Sequence, residues 1–139
     1  MVILDTNVLS ALMQIAPDET VARWMDRQQD QCTWVTSVSL LELRVGIALL
    51  SFGRRREALE AAFERVLNHI LENRVLDFDT PAAYAAASLT AQRRRTGRNI
   101  EIRDTQIAGI AVARRATLAT RNVWDFNDIG APVINPWDA

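Results

Sequence analysis

Five short runs of β-branched and aliphatic residues are spaced along the chain: VIL at 2–4, TWVT at 33–36, VLDF at 75–78, TLAT at 117–120 and PVIN within 132–135. Between them lie longer segments whose apolar residues recur at helical spacing. Uninterrupted apolar runs suit strands covered on both faces. Their alternation with helices predicts an α/β fold in which a parallel sheet lies between helical layers. With 139 residues and 49% hydrophobic content, the chain reads as a single domain, 1–139, since chains of about 150 residues bury roughly 68–70% of their unfolded surface.

The first helix is carried by Val8, Leu9, Leu12 and Met13, and a second is expected over Thr20–Gln29 with Val21, Trp24 and Met25 on one face. VSLLELRVGIALL reads as a helix. Gly53 and Arg54–Arg56 turn it into another that carries Leu59, Phe63, Val66, Leu67, Ile70 and Leu71, so the two form a helical hairpin. Asp79-Thr80-Pro81 is a helix start, because proline is favoured at the first helical position. The helix it opens runs through YAAASLTAQRRR to Gly97. A further helix begins near Asp104 and continues past Ile107, Ile110 and Arg114, and NVWDFND reads as turn-rich.

Composition removes several function classes. All 16 basic residues are arginine, so the P-loop lysine and Schiff-base chemistry are absent. His69 is the lone histidine, which disfavours Ser-His-Asp or Cys-His catalysis and zinc binding; it sits in an amphipathic helix as a surface or structural residue. Cys32 forms no internal disulfide and reads as a small buried residue beside a strand. No signal peptide and no run of about 18 apolar residues is seen, so the expectation is a cytoplasmic protein without a membrane segment. Net charge is −1, but two arginine clusters stand out: Arg54–Arg56, and Arg93, Arg94 and Arg95 with Arg98. They suit RNA phosphates, and equally a solvated surface, a genome's codon bias or, for the second cluster, the negative end of a helix dipole. Trp24, Trp34, Trp124 and Trp137 are expected in the core or an interface.

The acids carry the chemistry. Asp5 ends the first strand, Asp104 starts a late helix and Asp125 follows the TLAT run. Each is an acceptable cap or turn residue, yet each also falls where ligands bind in open α/β sheets, beyond the carboxyl ends of the strands. Glu42 lies inside LLELRVG among leucines and valine. It reads either as the last member of a Ser39-x-x-Glu42 capping box or, if Thr36-Ser37 caps the helix, as an acid on a mostly apolar face that needs a partner or a metal. Carboxylates gathered at one sheet edge repel, and an all-oxygen set suits Mg²⁺ or Mn²⁺, which supports phosphodiester hydrolysis.

MVILDTNVLS, SLLELRVG, RDTQIAGIA and ATRNVWDF together resemble the PIN domain, and in particular the VapC-type toxins of bacterial toxin–antitoxin pairs; INPWD and ELRVGIALL resemble their FitB-like branch. The resemblance spans essentially the whole chain. It implies a three-layer α/β/α fold with a mostly parallel central sheet and a protruding helical hairpin. It also implies a Mg²⁺- or Mn²⁺-dependent endoribonuclease, with Asp5, Glu42 and Asp104 as the acids of the metal site. Asp125 ranks above Asn122 as the fourth position, and Thr120 would add a hydroxyl to the water shell of the metal. The implied partners are RNA as substrate and a cognate VapB-type antitoxin, whose peptide would cover the acidic pocket and the groove beside the hairpin. DNA would be reached only through that antitoxin, and a homodimer or higher assembly is expected. The rival reading is a PIN-fold module that cleaves nothing and acts with its antitoxin as a DNA-binding regulatory complex.

Overall fold

The computed structural model describes all residues, 1–139. Its strands are β1 (Val2–Leu4), β2 (Thr33–Thr36), β3 (Val75–Leu76), β4 (Thr117–Ala119) and β5 (Val133–Ile134), arranged in the order β3-β2-β1-β4-β5. Every neighbouring pair is parallel, so the sheet is wholly and not mostly parallel. The helices are α1 (Thr6–Leu12), α2 (Glu19–Asp26), α3 (Ser37–Ala48), α4 (Arg54–Arg65), α5 (Thr80–Arg95), α6 (Ile102–Arg114) and α7 (Val123–Phe126).

The pleat of the central strand divides the core into two layers, since successive side chains of a strand point to opposite faces. Ile3 packs with Leu118, Ile107 and Ile110 against α5 and α6, whereas Leu4 packs with Val8, Val35 and Phe63 against α1 to α4. The outcome is the expected three-layer sandwich. On the first face α5 and α6 approach to backbone contact: a Cβ at Gly109 would stand 2.6 Å from the Ala82 carbonyl oxygen and 2.8 Å from Ala86 Cβ. The alanines of α5 permit that approach.

Several boundaries differ from the sequence reading. The second helix stops at Asp26 instead of Gln29, and β3 ends at Leu76, two residues early. NVWDFND holds a helix, α7, and not only turns. Helix α6 begins at Ile102 with Glu101 as its cap, which places Asp104 within the first turn. The hairpin of α3 and α4 is present, with Leu49 and Phe52 exposed at its turn. Arg56 ties that turn down through the Leu50 carbonyl and Glu60. Cys32 is half-buried, and His69 is on the surface. Trp24 is buried, whereas Trp124 is 75% exposed and so lies outside the core, one of the two placements expected of it. No helix is long and apolar enough to cross a membrane.

Candidate active site

The chain leaves β1 toward β2 on one side of the sheet and later adds β4 on the other. The carboxyl ends of β1 and β4 therefore flank the switch point where α/β sheets open a crevice. Asp5 follows β1 there and is 4% exposed. Its carboxylate accepts from the Thr6 N–H at 2.8 Å and from the Thr120 hydroxyl at 2.7 Å. Both readings of Asp5 hold at once: it caps α1, and it faces the crevice. Burial nevertheless raises its pKa, with the Asp125 charge adding to the rise and the two hydrogen bonds opposing it.

Thr120 is fully buried. Besides donating to Asp5, its oxygen accepts from the Asn122 N–H at 3.0 Å and from Asn7 Nδ2 at 3.3 Å. This hydroxyl holds Asp5 in place. Asn7 completes the arrangement by accepting from the Arg121 N–H at 3.2 Å, so the residue two after the first acid locks β1 to the segment after β4. Sequence reasoning passed over Asn7; its adjacency to Asp5 in DTN was the available signal.

Thr36 caps α3 by accepting from the Ser39 N–H at 3.1 Å. The capping box that would have ended at Glu42 is therefore not formed, and Glu42 lies in the second turn, half-buried. Thr6 Oγ1 lies 3.2 Å from Glu42 Oε1 and 2.9 Å from Ser39 Oγ, which links α1 to α3 at the crevice. Burial raises the pKa of Glu42, while the Thr6 hydrogen bond and the Arg103 charge pull against it.

Asp104 is the most perturbed group. Burial first, and then the charges of Asp5, Glu101, Glu42 and Asp125, push its pKa up to about 7. Those four neighbours show that the crevice gathers Asp5, Glu42, Asp104 and Asp125 from four separate elements. Asp125 is half-buried in α7, whereas Asn122 is exposed just outside it, which favours the acid over the amide as the fourth position. Glu101, not anticipated from sequence, adds charge from the cap of α6.

The donor set fits a hard divalent cation: it is all oxygen, and beyond the effect of burial Asp5, Glu42 and Asp125 raise the proton affinity of Asp104 as uncompensated carboxylates do. As the side chains stand, no three acids converge tightly enough to cage an ion. Mg²⁺ tolerates such an arrangement, since it commonly keeps several waters and takes only one or two carboxylates directly.

The arginines divide. Arg93 is 3% exposed and its guanidinium is occupied by Asp128, Thr105 and the Asp125 carbonyl. It is a structural cation, not the phosphate contact suggested by its cluster, because none of its nitrogens is left for a ligand. Arg98 pairs with Asp128 at 3.2 Å. Arg94 and Arg95 remain exposed.

Comparison with known proteins places this geometry. A family model described as "PIN domain" matches residues 2–131. The chain is 40% identical over 139 residues to plasmid stability protein StbB of Pseudomonas syringae pv. tomato, covering 100% of both. It is 37% identical to VapC ribonuclease Y4jK of Sinorhizobium fredii and 32% identical to toxin FitB of Neisseria gonorrhoeae, covering 99% of each chain in both cases. The FitAcB structure from Neisseria gonorrhoeae superposes with a TM-score of 0.86 at 32% identity, with full coverage of both chains. The structure of FitAB bound to the IR36 DNA fragment gives 0.85 at 33% identity, over 99% of this chain and 96% of that one.

Proposed function

The chain belongs to the PIN-domain family, and from that membership and the four acids around its crevice we propose that it is the toxin of a toxin–antitoxin pair, an endoribonuclease that hydrolyses RNA phosphodiester bonds with Mg²⁺ or Mn²⁺. The observation that carries this is Asp104 in the sheet crevice, whose pKa is pushed up to about 7 by burial first and then by the charges of Asp5, Glu101, Glu42 and Asp125. The names of a VapC ribonuclease and a FitB toxin at 37% and 32% identity support it.

Asp5 and Asp104 are the principal metal ligands, with Glu42 and Asp125 completing the acidic wall. A cation held by these residues would supply a nucleophile from water at neutral pH and offset charge on the leaving oxygen. The residues prepare for this in distinct ways. Thr6 and Thr120 fix the Asp5 carboxylate, so that one ligand is oriented in advance. Asp104, whose pKa burial first and then its acidic neighbours push up to about 7, would hold a cation in place of a proton near neutrality. Glu42, whose pKa burial raises, would orient the attacking water. Arg94 and Arg95 present free cations for RNA phosphates.

The protein works in the cytoplasm, where RNA and its antitoxin partner are found. A cavity of about 310 Å³ opens beside Glu42 between Thr6, Gly46 and Leu59. A larger cleft of about 860 Å³ continues past Met13 and Ile15 to Arg55 and Arg65 of α4. An antitoxin peptide laid along both would close the acidic crevice, and DNA would be reached through that partner; the similar FitAB was solved bound to a DNA fragment.

The test is cleavage of cellular RNA by antitoxin-free protein with Mg²⁺, Mn²⁺ or chelator, beside Asp5→Asn. Metal-dependent cutting that disappears in the variant is expected. Wild type that is folded, free of antitoxin and no more active than Asp5→Asn on both total RNA and defined structured RNAs would hand the protein to the rival reading of a non-cleaving module.

A further inference from the structure

Away from the crevice, the most deeply buried charge is Arg93, in the last turn of α5. Nε donates to Asp128 Oδ2 at 3.0 Å, Nη2 to Asp128 Oδ1 at 2.9 Å and to the Asp125 carbonyl at 2.7 Å, and Nη1 to Thr105 Oγ1 at 2.8 Å. Two of these contacts touch the immediate surroundings of site acids. Thr105 is buried and follows Asp104 in the first turn of α6, and the carbonyl belongs to Asp125 itself. Arg98 covers the cluster from outside. It pairs with Asp128, donates to Asn127 Oδ1 at 2.8 Å and to the Trp124 carbonyl, and lies 5.3 Å from the Trp124 ring centroid.

Helix α7 has only four residues, too few to hold a helical turn by its own hydrogen bonds. Its place is therefore decided by tertiary contacts, which are Phe126 in the core on one side and the arginine cluster on the other. The acids they carry repel, which tends to drive α6 and α7 apart. A planar guanidinium with its donors in a fixed fork can hold three partners at set angles, which a lysine ammonium on a flexible stem cannot.

We infer that Arg93 is a positioning residue of the acidic site: one buried guanidinium, anchored by Asp128, sets the first turn of α6 and the carbonyl of Asp125 at a fixed separation, so that Asp104 and Asp125 face one crevice. The consequence for metal binding rests on the nuclease reading above; the placement of α7 does not.

The experiment compares wild type, Arg93→Lys, Thr105→Val and a control, Arg114→Ala. The control breaks the exposed Arg114–Asp79 bridge between the same two helices, 3.2 Å long. Amide hydrogen exchange reads residues 121–128 and 102–105 without reference to activity, and Mn²⁺ affinity is read by paramagnetic titration. In Arg93→Lys, exchange should accelerate selectively at 121–128 and Mn²⁺ should bind about tenfold more weakly, the scale of loss for a supporting partner of a metal site. RNA cleavage should recover at high Mn²⁺. Thr105→Val should show a smaller loss confined to 102–105, and Arg114→Ala neither effect.

Exchange that rises evenly over the molecule, or local exchange and Mn²⁺ affinity equal to wild type in folded Arg93→Lys, would overturn the proposal. If Arg93→Lys does not fold, Thr105→Val decides by the same readings at α6. A wild type that binds no Mn²⁺ and cuts no RNA defeats the nuclease reading, while the exchange comparison still decides whether Arg93 places α7.

Discussion

Asp104, in the first turn of α6, and Asp128, just after α7, are both aspartates, and their environments drive them in opposite directions. Asp128 receives two guanidinium donors from Arg93 and lies 3.2 Å from Arg98, and its carboxyl is held below the usual carboxylate range by the Arg93 hydrogen bonds first. Asp104 meets burial and four like charges, and its pKa rises to about 7. The first acid is neutralised from within the fold, and so contributes to stability. The second is left to be neutralised from outside, by a proton or a cation. Unmet charge of this kind marks functional sites more often than structural ones, and here it separates the pocket from the scaffold beside it.

Neutralising the unmet charge is the strongest way to break the contrast. Asp104→Asn should lower RNA cleavage on the order of 100-fold or more, at or beyond the usual cost of losing a supporting group of a metal site, while raising the melting temperature of metal-free protein at pH 8. A fall in both would mean that Asp104 is structural. On the compensated side, Arg93→Met should cost about 3 kcal/mol in urea unfolding, at the low end for a severed buried pair because Arg98 still faces Asp128. A change within about 0.5 kcal/mol, as for surface pairs, would erase the distinction between the two regions.

The wall they share can be tested at Gly109, where a methyl group would meet the Ala82 carbonyl oxygen at 2.6 Å. Gly109→Ala should cost roughly 1–3 kcal/mol, the range for overpacking, read by thermal melts. The finest test is pH. Asp104 has a raised folded pKa, so its protonated form favours folding at low pH, and that contribution is lost as pH rises from the usual carboxylate range through about 7. Asp128, with a lowered pKa, contributes above the usual carboxylate range and loses that contribution as acid protonates it in the fold. Metal-free unfolding followed from pH 3 to 8 should show both limbs, Asp104→Asn flattening the upper and Asp128→Asn the lower.

Much of the fold was legible because it depends on local pattern. Short apolar runs gave the strands, and Asp79-Thr80-Pro81 marked the start of α5, which begins at Thr80 with Asp79 as its cap. Asp5 and Glu42 drew notice as acids at a strand end and within an apolar helix face, Asp104 as an acid at a helix start, and the resemblance to the PIN domain joined the three into one site. The choice between Thr36 and Ser39 as the cap of α3 was not legible, since both hydroxyls have the right spacing and only the strand's end at Thr36 separates them. Arg93 and its neighbours look alike in RRR, yet one is buried and two are exposed. The partners that bury it, Asp128 and Thr105, lie 35 and 12 residues away.

By itself, the sequence determined that this chain alternates strands and helices and that acids stand at their junctions, because periodicity and capping chemistry act over a few residues. Only the tertiary structure decided which charges meet an opposite charge and which meet their own kind. That outcome depends on how α5, α6 and α7 converge around the ends of β1 and β4, a matter of packing between distant segments that no local pattern encodes.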